Sequence, residues 1–148
     1  MMNNDNSITV DTALYGYIAQ EAHSSRFSAI VNKMFKGNSV NAMIIPMNIR
    51  PDDVTFTISQ MRSSKLHGAV ISMEYQEEAF ELLDDASVSA KEAGYCDFIR
   101  IVDAKLIGEL IMPTALEKFA QSDDFQDDIA LNSMTRYFYE LTTGEYDE

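Results

Sequence analysis

The chain has 148 residues, 46% of them hydrophobic, with a mean hydropathy of -0.17, which fits one ordinary globular domain long enough to bury a sizeable core. Eleven Lys and Arg stand against 24 Asp and Glu, giving a net charge of -13 and a pI near 4.4, so direct contact with nucleic acid or an anionic membrane is disfavoured. No apolar run reaches the roughly 18 residues of a membrane span, and the single cysteine, Cys96, excludes an internal disulfide and suits the cytoplasm.

Residues 1–10 read as a polar, Asn-rich leader and residues 11–148 as one domain. Leu14 to Ile18 is the first strand candidate, and Ser24 to Phe35 is a loop running into a helix stopped by Gly37. Asn41 to Ile45 predicts a second strand closed by Pro46. Pro51, Asp52 and Asp53 then open a helix that carries Val54, Phe56, Ile58 and Met61 to about Ser64. A third strand lies within Leu66 to Met73, followed by a helix from about Gln76 to Leu83. Asp84-Asp85 breaks that helix, and Ser87 caps a short one ending at Gly94.

Phe98 to Val102 and Lys105 to Ile111 predict a hairpin turning on Asp103-Ala104. Pro113 and Thr114 open a helix to about Ala120, Ser122 to Asp128 is an acidic connection, and a last helix spans about 129–144. Strands alternating with helices predict an α/β fold: a mainly parallel mixed sheet with helices on both faces, to which the hairpin adds an antiparallel edge.

No usual catalytic constellation is present. The six glycines form neither GxGxxG nor a phosphate loop, and His23 and His67 lie on separate segments with no carboxylate at metal-ligand spacing. Cys96, in an apolar stretch, reads as a small buried hydrophobe. Asp123-Asp124 and Asp127-Asp128 lack the spaced glycine and glutamate of a calcium loop, so neither a metal nor a cofactor is expected.

Motif order supplies more. Tyr15-Gly16-Tyr17-Ile18 followed by Ser24-Ser25-Arg26-Phe27-Ser28 and Asn32 to Phe35 resembles the shikimate dehydrogenase signature YGVIG…HSxSPxxHNxxF. Gly68 to Phe80 (GAVISMEYQEEAF) resembles GxNVTxPxKxxAF, and Ser87 to Ile99 resembles LSxxAxxAGAVNTL. Leu106 to Met112 resembles LxGxNTD, and Tyr139 to Gly144 (YELTTG) resembles FELWTG at the end of that family's last helix. The resemblance implies the substrate-binding domain of that family without its NADP-binding domain, and it places the former substrate pocket at eight positions.

The family's paired serines fall on Ser25 and Phe27, the asparagine and threonine of NVT on Val70 and Ser72, and the catalytic lysine on Gln76. The asparagine of AVNT falls on Asp97, the catalytic aspartate on Met112 and the last-helix glutamine on Met134. An amide has no pKa near neutrality with which to exchange a proton, and loss of hydrogen-bonding groups strands substrate hydroxyls. Phe27, Val70, Met112 and Met134 are expected to line an apolar cleft, and Asp97 to repel a carboxylate. The expectation is a degenerate relative, a pseudoenzyme rather than an enzyme, that binds a protein partner with a basic surface, in the manner of an inhibitor or immunity protein of a basic toxin or nuclease. The alternatives are a small-molecule binding domain with a changed pocket, or a partner subunit of a split dehydrogenase.

Overall fold

The computed structural model describes residues 11–119 and 129–144. The expected leader and the acidic connection at 122–128 lie outside the described residues. Six strands, β1 (Ala13–Ala19), β2 (Ala42–Asn48), β3 (Gly68–Ile71), β4 (Asp85–Ala86), β5 (Phe98–Val102) and β6 (Lys105–Glu109), form one sheet in the order β2-β1-β3-β5-β6-β4. Among the described residues six α-helices accompany them: α1 (Arg26–Gly37), α2 (Val54–Gln60), α3 (Gln76–Glu81), α4 (Val88–Ala93), α5 (Met112–Phe119) and α6 (Ile129–Thr143). The fold is α/β with a mixed, mostly parallel sheet, as the alternation of strand and helix predicts.

Only β5 runs against its neighbours: it is antiparallel to both β3 and β6, while β1 pairs parallel with β2 and β3, and β4 with β6. The hairpin therefore lies inside the sheet and does not form its edge. The two-residue strand β4 takes that place, held by the Ser87 N–H on the Gly108 carbonyl and by the Asp84 carboxylate, which accepts the Leu106 N–H at 2.7 Å. A strand this short has no periodicity to read; its pairing with β6 is a tertiary event. Asp103 (φ 52°) and Ala104 (φ 63°) both adopt left-handed backbone, the double positive φ that closes a two-residue hairpin.

Local chemistry sets the helix ends. Ser25 is the N-cap of α1, its Oγ accepting the Phe27 N–H at 3.1 Å, and Phe27, Val31 and Phe35 recur at four-residue spacing along one buried face. Ser87 caps α4 by accepting the Ala90 N–H, and Gly94 at φ 82° ends it. Two apolar clusters sandwich the sheet. On one face Phe27, Val31 and Phe35 of α1, Ala115 and Phe119 of α5, and Met134, Tyr137 and Phe138 of α6 pack over Ile44, Val70 and Phe98. On the other, Val54 and Ile58 of α2, Ala79 of α3 and Ala90 of α4 pack over Ile18, Ala69, Ile71, Ile99 and Leu106.

Pro46 does not close β2; it sits within it. The outer edge explains why. Asn41 accepts from Ala13 and Ile49 donates to Ala19, so the alternate residues Ala42, Ile44, Pro46 and Asn48 direct their backbone groups away from β1. At that edge a proline has no N–H to leave unpaired. Ala42 donates to Val40, and the Asn32 side chain stands in for a neighbouring strand: its Oδ1 accepts the Ile44 N–H and its Nδ2 donates to the Ile44 carbonyl, both at 2.8 Å. Replacing Asn32 by alanine removes two part-buried hydrogen bonds and is expected to cost about 1–3 kcal/mol in urea unfolding. An unchanged midpoint would show that solvent replaces the amide at no cost.

Candidate functional site

The eight positions that the resemblance assigns to a substrate pocket divide evenly in the structure. Phe27, Val70, Asp97 and Met134 are buried, at 4%, 3%, 3% and 4% exposure. Ser25, Ser72, Gln76 and Met112 stay half-buried near the surface.

Phe27 comes from the first turn of α1 and lies stacked on Tyr17 of β1, ring centroids 5.4 Å apart. Phe138 of α6 meets it at 5.7 Å and also meets Tyr15 at 5.4 Å and Phe98 at 5.8 Å, each edge to face. Val70 and Met134 belong to the same cluster, with Met112 packed against its border. The apolar residues thus do not line an open cleft as expected. Three of the four fill the space, because aromatic rings from β1, α1, β5 and α6 converge there and burial of each is favourable by about 1.5–3 kcal/mol.

The polar positions are engaged inside the chain. The Ser25 hydroxyl is the helix cap already described. The Ser72 hydroxyl donates to Glu74 Oε1 at 2.6 Å, while the other oxygen of Glu74 accepts the Gln20 N–H at 2.9 Å. Burial pushes the Glu74 carboxyl up, but these donors outweigh it and hold the group below its ordinary value. The sequence reading missed Glu74; its signal is a carboxylate two residues after a serine, close enough to turn back onto the hydroxyl. The Gln76 Nε2 donates to the Ile71 carbonyl at 2.9 Å, folding the amide back against the end of β3.

Asp97 departs most from expectation. It does not face outward to repel a carboxylate: Oδ1 accepts the Ile111 N–H and Oδ2 the Met112 N–H, both at 2.8 Å. The side chain therefore ties the start of β5 to the start of α5, satisfying amides that a helix leaves unpaired at its first turn. Burial pushes the Asp97 carboxyl up, against the pull of these amides. Its neighbour Cys96 is fully buried, and burial with the Asp97 charge beside it pushes the thiol up to about 12, which keeps it protonated and inert at neutral pH.

Both histidines are exposed, His23 paired with the Asn48 side chain at 2.7 Å and His67 accepting the Leu14 N–H at 3.4 Å. Among the described residues, no three His, Cys, Asp or Glu side chains gather as a metal site. An open cleft of about 280 Å³ lies beside α5, lined by Ser87, Ser89, Ile107, Glu109, Thr114 and Tyr137 among others, and none of the eight positions borders it. Glu109 there is held by Arg100, Nε to Oε2 at 2.8 Å.

Asp97→Asn, which restores the residue type of the family motif, is expected to destabilise the fold by about 1–3 kcal/mol, because an amide accepts only one of the two N–H groups and opposes the other with a donor. Since the carboxyl's pKa is raised on folding, its stabilising contribution is full below the ordinary carboxylate range and declines as pH rises through the raised value. The advantage of the parent protein over the variant in urea midpoint should therefore shrink as pH rises through that value; an advantage that grows would contradict this placement of the charge.

The family model for the shikimate dehydrogenase substrate binding domain matches residues 17–99. The shikimate dehydrogenase (NADP(+)) of Pyrococcus furiosus is 27% identical over 120 residues, covering 78% of this chain and 44% of that protein; that of Alkaliphilus oremlandii is 29% identical, covering 68% and 35%. This chain spans less than half the length of these relatives. Among solved structures, shikimate dehydrogenase from Aquifex aeolicus superposes with a TM-score of 0.71 at 23% identity, over 79% of this chain and 44% of that one. The Listeria monocytogenes enzyme, in complex with shikimate and NAD, gives 0.70 at 22%, over 81% and 41%, and both structures share the fold. The relatives also correct one expectation. The reading of this chain as no enzyme was drawn from missing motifs, and it is overturned by relatives that are named, one after another, as dehydrogenases. With the family model spanning more than half of its length, the chain belongs to the shikimate dehydrogenase substrate binding domain family.

Proposed function

We propose that this chain acts by binding a protein that presents a basic surface. The observation that carries the reading is the aromatic fill of the inherited pocket, with Phe27 packed between Tyr17 and Phe138 at a position where the family motif has a serine. Recognition then falls to the exterior, and the exterior carries the net charge of -13, a field that steers cationic partners and raises their rate of encounter. The reading assigns the chain to the cytoplasm, in keeping with its single reduced and buried cysteine. No described helix is long and apolar enough to cross a membrane.

A second reading has its own observation. The cleft beside α5 offers the hydroxyls of Ser87, Ser89 and Thr114 next to Ile107 and Ile111, a lining that fits a small neutral molecule with hydroxyl groups.

Two measurements separate these. Calorimetric titration with shikimate is expected to give no saturable heat up to about 1 mM, a bound of roughly -4 kcal/mol. Affinity capture from the source cells is expected to recover a basic protein at low salt and to release it at high salt. Micromolar binding of shikimate would overturn the carrying observation, and recovery of a hydroxylated metabolite with no protein would favour the cleft.

A further inference from the structure

We infer that the partner is gripped by the α2–α3 surface, and that the segment it inserts is cationic and amphipathic, with apolar side chains spaced among Lys or Arg. The inference rests on the protein-binding reading above and names the surface that serves it.

Two large apolar side chains stand exposed there, Phe56 on α2 at 69% and Met73 in the 3-10 turn Met73–Tyr75 ahead of α3 at 84%. Both are out of place for opposite reasons. On α2, Val54 and Ile58 point into the core and Phe56 lies between them in sequence, so helical geometry turns it outward. Met73 follows β3 at the point where the chain leaves the sheet. The neighbouring elements are tied into one surface. The Thr55 hydroxyl donates to Glu78 across α2 and α3, the Tyr75 hydroxyl donates to the Ile49 carbonyl at 2.6 Å, and Glu74 accepts the Gln20 N–H.

Around these side chains the charge is mostly negative. The segments 51–60 and 73–81 hold six carboxylates, Asp52, Asp53, Glu74, Glu77, Glu78 and Glu81, and no Lys or Arg. All six are exposed, and the ion pair found there among the described residues is the open one between Arg50 and Asp53, whose side chains are 81% and 57% exposed. Acids in the first turns of α2 and α3 suit the helix dipole, but that alone accounts for neither Phe56 nor Met73. Apolar anchors among carboxylates that outnumber the one paired cation are complementary to a segment that brings both apolar side chains and positive charge. Methionine, soft and unbranched, adapts to the anchors it meets.

The test titrates the whole chain, ¹⁵N-labelled, with two synthetic peptides of equal length: one alternating Leu with Lys and Arg at helical spacing, and one with the same charge but Ser in place of Leu. The Leu peptide is expected to shift amides of 51–60 and 73–81, to bind at least tenfold more tightly than the Ser peptide, and to weaken at least tenfold in 0.5 M salt. Phe56→Ser with Met73→Ser should weaken it at least tenfold, whereas Val88→Ser with Val102→Ser, at exposed apolar sites elsewhere, should not. An unchanged melting temperature certifies each variant as folded. Salt-sensitive binding that maps to another surface overturns this inference and leaves the protein-binding reading standing; no shift with either peptide, together with failed capture, overturns both. Self-association through Phe56 and Met73, seen by sedimentation, also overturns it, since the occupant would then be a second copy of this chain.

Discussion

Phe138 is the contact on which the arrangement of one face of the sheet depends. Fully buried in the middle of α6, it meets Tyr15 of β1, Phe27 of α1 and Phe98 of β5, each ring presenting edge to face at 5.4 to 5.8 Å. Edge-to-face pairs contribute about 0.5–1.5 kcal/mol each beyond the area they bury. The larger effect is geometric, because one side chain fixes the last helix against two strands and the first helix. Glu140, one half-turn on and 8% exposed, reinforces the placement by accepting from Lys118 of α5 at 3.2 Å and from Arg136 at 3.0 Å. With α6 so fixed, Met134, Val70 and Phe27 share one buried cluster.

The same constraint decides how the inherited positions are used. Where the family resemblance has hydrogen-bonding groups, this chain has either ring and aliphatic surface that closes on itself, or polar groups turned to internal partners. Ser25 caps a helix, Ser72 and Glu74 fix the turn after β3, Gln76 folds onto Ile71, and Asp97 binds two amides. A buried carboxylate holding a helix start is stable only while both its oxygens are occupied, so Asp97 and α5 depend on each other. This division leaves the polar groups at the inherited positions committed to partners inside the chain.

Most of the architecture was legible from local signals. The cap at Ser87, the stop at Gly94 and the turn at Asp103-Ala104 are each governed by a few neighbouring residues, and the structure has them where the sequence predicts. Pro46 misled because its effect depends on whether a strand is central or at an edge, which is a property of the sheet. The strand β4 was missed for a related reason: two residues acquire strand geometry only because β6 lies beside them. For the site, motif order assigned eight positions but gave nothing on how their side chains pack against one another. Whether Phe27, Val70 and Met134 line a cavity or fill it depends on Phe138 and Tyr17, far away in sequence. The role of Asp97 likewise depends on amides that lie fourteen and fifteen residues further along.

The position of Phe138 has a kinetic consequence. The pairings of β1 with β2 and of β5 with β6 join neighbouring segments, but the aromatic cluster joins Phe27 to a residue more than a hundred positions later. Closing so long a loop costs entropy that nothing repays until α6 docks. Until α6 docks, Phe27, Val70 and Phe98 lack the ring that covers them, so a chain without its last helix would bare apolar surface on this face of the sheet. The last helix thus joins the first helix and two strands across the whole length of the chain, so the integrity of this face rests on a segment remote in sequence from the residues it covers.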